Sequence, residues 1–143
     1  MGHQDKGHYA KKHPGQTPDP GCQETLQAAA KQGILTCADA HRAAKTLGGA
    51  PGQIGIQADL LELRISQCQL GLFGYSPGKK NLDPDVRVSP ELGEAILAAQ
   101  QDGRISCKVC WEMAKTHNIS RLDMGAACEK KEIRIKPCQL GAF

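Results

Sequence analysis

The sequence contains an internal duplication, and this feature restricts the fold more than any other. Shifting the chain by 70 residues aligns positions 26–73 with 96–143 without a gap, and 16 of these 48 positions are identical. Average residue usage would give roughly three identities by chance. Because a repeat of this kind indicates that one structural unit has been copied, we expect two similar modules of about 50 residues each.

The repeat divides the chain into four segments. We place the first module at residues 23–75 and the second at 91–143. Residues 1–22 form a polar tail containing histidine, lysine and proline, which we expect to be loosely ordered or draped over the modules. Residues 76–90 contain three prolines, one glycine and five charged side chains, and this composition predicts a solvated linker.

The sequence of each module predicts three helices, with a short extended segment after the first helix. We expect helices at 24–32, 38–47 and 51–62 in the first module and at 91–101, 108–117 and 121–132 in the second. Gly48 and Asn118 lie between the second and third helices, where left-handed backbone is needed. A helix, a turn of three residues and another helix form the helix-turn-helix arrangement.

Strand-like segments follow the third helix at Arg64–Cys68 and Arg134–Cys138. With them, the sequence resembles the winged helix-turn-helix superfamily over both modules. The resemblance implies a mainly α fold with short β segments, built as tandem winged helix-turn-helix modules of three helices. It also implies a DNA-binding protein that regulates transcription. Tandem modules of this fold also serve as protein-docking units, so a protein partner stays open as an alternative.

The charges favour the second module as the DNA reader. The net charge of the chain is +3, but residues 24–75 carry four cations and four acids, whereas 91–143 carry eight and seven. Lys and Arg neutralise phosphates, and Gln can pair with adenine. The expected DNA-binding residues are Arg121, Lys130, Lys131, Arg134, Lys136, Gln53, Gln57 and Arg64. We expect modest, salt-dependent binding to double-stranded DNA by a monomeric pseudo-dimer or a homodimer.

The seven cysteines concentrate in the second module. Four thiolates from Cys107, Cys110, Cys128 and Cys138 have the ligand chemistry of a tetrahedral zinc site, and Cys107-x-x-Cys110 also matches a redox switch. The first module has Ala40 and Ala58 where the second has Cys110 and Cys128, which favours buried structural thiols. A protein-docking adaptor that responds to metal or thiol oxidation is therefore the alternative function.

Several classes of protein are not expected. We find no nucleophile with a paired base and no glycine loop that would hold a phosphate, so the sequence does not predict an enzyme. Only five residues are aromatic, too few for a surface on which single-stranded bases stack. The chain has no apolar run of about 18 residues and no hydrophobic signal segment. Together with the odd number of cysteines, this predicts a cytoplasmic protein without a membrane partner.

Overall fold

The computed structural model describes residues 8–76 and 78–143, and its described part is mainly helical. The expectation of a mainly α fold with short β segments is confirmed. A 3-10 turn, Tyr9–Lys12, precedes the first repeat. The first repeat contains α1 (Pro20–Ala29), β1 (Ile34–Thr36), α2 (Cys37–Leu47), α3 (Pro51–Leu60) and β2 (Arg64–Ser66). The second contains α4 (Pro90–Ala99), β3 (Arg104–Ile105), α5 (Cys107–Thr116), α6 (Arg121–Lys130) and β4 (Arg134–Ile135).

Local sequence signals determine where most helices begin. The side chains of Thr36, Ser89 and Ser120 accept hydrogen bonds from backbone N–H groups three residues on, at the starts of α2, α4 and α6. The turns between paired helices need left-handed backbone, and φ is 69° at Gly48 and 54° at Asn118. The helix, turn and helix order is therefore present as α2–α3 and as α5–α6.

The two strands of each repeat pair with each other in parallel. Ile34 lies opposite Arg64 in the first pair, and Arg104 lies opposite Arg134 in the second. A wing would be an antiparallel hairpin after the third helix, and no such hairpin is present among residues 8–76 and 78–143. Because α2 and α3 connect β1 to β2, the second strand returns in the same direction as the first.

The described residues form two compact units whose boundaries differ from those of the repeats. Unit 1 contains the described residues up to Cys68 together with the chain end Gln139–Phe143, and unit 2 runs from Gln69 to Cys138. Each unit therefore includes the Gln-Leu-Gly segment that follows the strand of the other repeat. These are residues 139–141 in unit 1 and 69–71 in unit 2.

Equivalent apolar residues fill the core of each unit. The small residues Ala44 and Ala114 are buried in α2 and α5 and allow the paired helices to approach closely. In unit 1 the fully buried side chains include Leu26, Leu35, Ile54 and Ile65. In unit 2 their counterparts in the repeat are Ile96, Ile105, Met124 and Ile135. The match in position and approximate size explains why both repeats form the same elements.

Parts of the segments that precede the repeats are buried and hydrogen-bonded. Tyr9 is buried, and its backbone N–H donates to the carboxylate of Glu62 over 2.7 Å. In the expected linker, Val86 is buried and the N–H of Asn81 donates to the carbonyl of Gly71 over 2.8 Å. Both segments therefore pack on the unit to which they belong. Residues 1–7 of the tail and residue 77 of the linker lie outside the described residues.

The described helices are all too short and too polar to cross a bilayer.

Candidate nucleic-acid interface

Three cations share the exposed face of the strand pair in unit 2. Arg104 and Arg134 lie directly opposite each other, while the next residues, Ile105 and Ile135, are buried. The N–H of Lys136 donates to the carbonyl of Ile105 over 2.8 Å and extends the ladder by one residue. Since side chains alternate along a strand, Lys136 lies on the same face as Arg134. We call Arg104, Arg134 and Lys136 the strand-face cations.

The strand-face cations repel one another. Like charges directly opposite in neighbouring strands destabilise a sheet by a few tenths to about 1 kcal/mol. Among the described residues, none of the three forms an ion pair with an acid, and all three are exposed. An anion bound across this face would replace repulsion with attraction, and phosphate groups of a nucleic acid have that charge.

The equivalent face of unit 1 carries one cation. Ile34 takes the place of Arg104 and is 41% exposed, while Arg64 corresponds to Arg134. Ser66 corresponds to Lys136 in the repeat. The predicted residues Arg64, Arg134 and Lys136 therefore lie on equivalent strand faces, but only unit 2 groups several cations there.

The third helices have little free surface. In α6 the five consecutive residues Met124–Cys128 are all buried, so the middle of the helix is covered around its whole circumference. The exposed residues of α6 lie at its two ends. In α3, Gln53 is exposed, but the side-chain carbonyl of Gln57 already accepts a hydrogen bond from Asp19 N over 2.8 Å. A recognition helix needs an open face that can enter the major groove. The middle of α6 offers no such face, whereas the strand-face cations of unit 2 are exposed.

The other predicted cations of unit 2 make contacts of their own. The guanidinium of Arg121 lies 3.6 Å from the ring centroid of Trp111 and also donates to the side-chain carbonyl of Gln69. The ammonium of Lys130 donates to the carbonyl of Val86 over 3.0 Å, and Lys131 passes over Gly93. These three residues hold the N-terminal and C-terminal ends of α6 against their neighbours.

Two of the four proposed zinc ligands lie together in the core. The sulfurs of Cys110 and Cys128 are 4.0 Å apart, and both residues are fully buried. The contact with Cys128 and burial raise the pKa of Cys110, whereas the hydrogen bond from Cys110 lowers the pKa of Cys128. Among the described residues, no three His, Cys, Asp or Glu side chains converge as metal ligands. The thiols of Cys107 and Cys138 therefore do not complete a zinc site with this pair.

Sequence reasoning missed one strand-face cation and one structural device. Arg104 begins the extended segment predicted at residues 104–106, and pairing that segment with Arg134–Cys138 places the two arginines side by side. The device is a glycine inside each third helix, Gly55 and Gly125, identical in both copies. An interior glycine costs a helix about 1 kcal/mol, so its repetition at the same place signals a close backbone approach.

Comparisons of this chain with family models, with curated proteins and with solved structures returned no match.

Proposed function

We propose that this chain binds double-stranded DNA by contacting backbone phosphates with the strand-face cations of unit 2. The observation that carries the proposal is the grouping of Arg104, Arg134 and Lys136 on one exposed face without acidic partners. Phosphate contacts supply most non-specific affinity for DNA and depend on the density of cations rather than on an exposed helix. Under this proposal, the strand-face cations supply the phosphate contacts for non-specific binding to DNA.

The helix-turn-helix order in both units supports the wider assignment. Under this proposal the chain is a relative of the winged helix-turn-helix regulators in which the parallel strand pair takes the position of the wing. Arg121 and Lys130 then stabilise α6, and the strand face contacts the nucleic acid. A role in transcription regulation follows from the resemblance and is part of the proposal.

The binding test compares matched variants of the two units. We expect the triple variant Arg104→Gln, Arg134→Gln and Lys136→Gln to lose at least about tenfold in affinity for random duplex DNA at low salt. The slope of log affinity against log salt should fall by about 0.9 for each lost contact. Fluorescence anisotropy at several salt concentrations measures both quantities.

The control is Arg64→Gln, which removes the equivalent cation from unit 1. We expect its affinity to stay within about twofold of the unaltered chain, because Arg64 has no neighbouring cation on its strand face and is not proposed to contact a phosphate. Equal losses in the triple variant and the control, or no binding at low salt, would refute the proposal.

A second candidate function is that of a protein-docking adaptor that responds to thiol oxidation. It rests on the thiol pair of unit 2. The 4.0 Å contact between Cys110 and Cys128 allows them to form a disulfide if the side chains rotate, with both hydrogens and two electrons passing to an oxidant such as peroxide.

Intact-mass measurement after peroxide treatment and alkylation tests this second function. We expect the loss of two hydrogens, two fewer alkylated cysteines, and neither change in Cys110→Ala. If both thiols are alkylated only after denaturation and the mass is unchanged by peroxide, the pair is structural.

A further inference from the structure

The chain end of unit 1 is seated on α3. Leu140 and Ala142 are 2% and 3% exposed, although they lie within four residues of the C-terminus. The segment Gln139–Phe143 belongs to unit 1 by its contacts, while the rest of its repeat belongs to unit 2. The segment therefore packs in unit 1, although by sequence it belongs to the second repeat.

A glycine in α3 makes room for this segment. A Cβ atom added at Gly55 would lie 1.7 Å from the carbonyl oxygen of Leu140, so any larger residue would exclude the segment from its present position. One turn earlier, a Cβ at Gly52 would lie 3.8 Å from the carbonyl oxygen of Gln139, an ordinary contact. The surface of α3 thus has one position that determines whether the segment fits. We call this position the Gly55 slot.

Unit 2 contains the same arrangement with its own segment. A Cβ at Gly125 would lie 1.8 Å from the carbonyl oxygen of Leu70, and Leu70 is fully buried. The residues Cys-Gln-Leu-Gly occur at 68–71 and at 138–141. Two identical segments therefore occupy two equivalent slots, which shows that the slot recognises the segment and not one particular connection of the chain.

The two segments differ in how easily they could leave. Residues 69–71 are followed by more of unit 2, and the carbonyl of Gly71 accepts a hydrogen bond from Asn81. Residues 139–141 lack this cover, since a Cβ added at Gly71 would lie 2.4 Å from the carbonyl oxygen of Asn81 whereas one added at Gly141 would meet nothing within 4 Å. Identical segments and equivalent slots are what an exchange of elements between protomers requires.

We propose that the Gly55 slot is a docking site for the Gln139–Phe143 segment of a second copy of this chain. The copy's segment makes the contacts that the chain's own end makes now, with Leu140 as its buried anchor. Because the chain's own end competes for the slot, exchange depends on protein concentration and on release of that end.

A complementation experiment with the full chain tests the proposal. Leu140→Asp keeps the slot and removes the anchor, whereas Gly55→Ala keeps the anchor and closes the slot. We expect each variant alone to be a monomer at micromolar concentration and the equimolar mixture to contain a heterodimer, as measured by light scattering with size-exclusion chromatography. Mixing Leu140→Asp with Gly52→Ala is the control, and we expect at least about tenfold less heterodimer, because that chain's own end still fills its slot.

A peptide assay keeps the proposal testable if the mixture gives no dimer through misfolding. A labelled peptide spanning residues 137–143, with serine at position 138, should bind Leu140→Asp at least about tenfold more tightly than the unaltered chain. Binding should be lost in the double variant Leu140→Asp with Gly55→Ala and kept with Gly52→Ala. Circular dichroism confirms that each variant is folded. Folded variants that give neither heterodimer nor peptide binding, or equal binding by both double variants, would overturn the proposal.

Discussion

Units 1 and 2 share their core and differ at their surfaces. The strand registers, the helix caps and the glycine of the third helix occur at equivalent positions in both. The exposed strand face carries Ile34 and Arg64 in one unit and Arg104 and Arg134 in the other. Since these changes leave the fold unaltered, they are free to serve a function. The comparison teaches that both the grouped cations and the contacting core thiols lie in unit 2.

The largest expected effect is on the free energy of unfolding, and it distinguishes Gly55 in α3 from Gly125 in α6. We expect Gly125→Ala to reduce the free energy of unfolding by about 3 kcal/mol, because the new methyl group displaces a segment that is continuous with the rest of unit 2. Gly55→Ala should cost only about 1 kcal/mol. It loses the burial of Leu140, worth about 1.5–3 kcal/mol, and recovers about 0.5–1 kcal/mol of helix propensity.

Urea unfolding followed by circular dichroism measures both losses. Gly52→Ala serves as the control, since its methyl group meets only an ordinary contact and should leave the chain equally or slightly more stable. Equal losses at Gly55 and Gly125 would show that residues 139–143 are held as firmly as residues 69–71.

A second comparison concerns the equivalent acids Asp59 and Glu129. Asp59 is 2% exposed and binds His13 at 2.8 Å and Lys12 at 3.0 Å, whereas Glu129 is exposed and pairs with Lys80. We expect Asp59→Ala to cost about 2 kcal/mol, because it removes a buried acceptor that anchors the segment before α1.

Glu129→Ala is the matched control and should change stability by less than about 0.5 kcal/mol, as expected for an exposed ion pair. Hydrogen exchange at Tyr9–Lys12 should increase in Asp59→Ala and stay unchanged in Glu129→Ala. If the two variants are equally stable, the His13–Asp59–Lys12 contacts contribute no more than a surface pair.

The sequence predicted the parts of this fold that depend on local signals. The prolines and serines at helix starts, the turns at Gly48 and Asn118, and the two strands of each repeat all have signatures within a few residues. The assignment of residues 139–143 to unit 1 has no such signature, because it depends on contacts between residues about 85 positions apart, such as Gly55 and Leu140. The spacing of apolar residues predicts a helix or a strand, but it does not predict the unit on which that element packs.

The grouping of the strand-face cations has no local sequence signature, for a related reason. Helix-turn-helix reasoning places DNA contacts on the third helix, where Gln57 and Arg121 make intramolecular contacts. Arg134 and Lys136 were identified by charge alone. Their grouping with Arg104 depends on strand register, and the register becomes clear only once the pairing is known to be parallel.

The smallest expected effect is a gain in DNA affinity from a substitution that gives unit 1 part of the strand face of unit 2. Ile34→Arg would place a cation opposite Arg64, as Arg104 lies opposite Arg134. Because Ile34 is 41% exposed, the main expected cost is the repulsion between the two facing cations, a few tenths to about 1 kcal/mol. Affinity for duplex DNA should rise about two- to threefold at low salt, and the salt slope should steepen by about 0.9.

Anisotropy titrations at several salt concentrations measure this gain, with Ile34→Gln as the control for polarity without charge. An equal gain in both variants would mean that polarity and not the pair of cations determines binding. A gain confined to Ile34→Arg would show that the strand pair is a phosphate-binding surface wherever two cations face each other across it. Unit 1 would then lack DNA binding only because of the residues at this face.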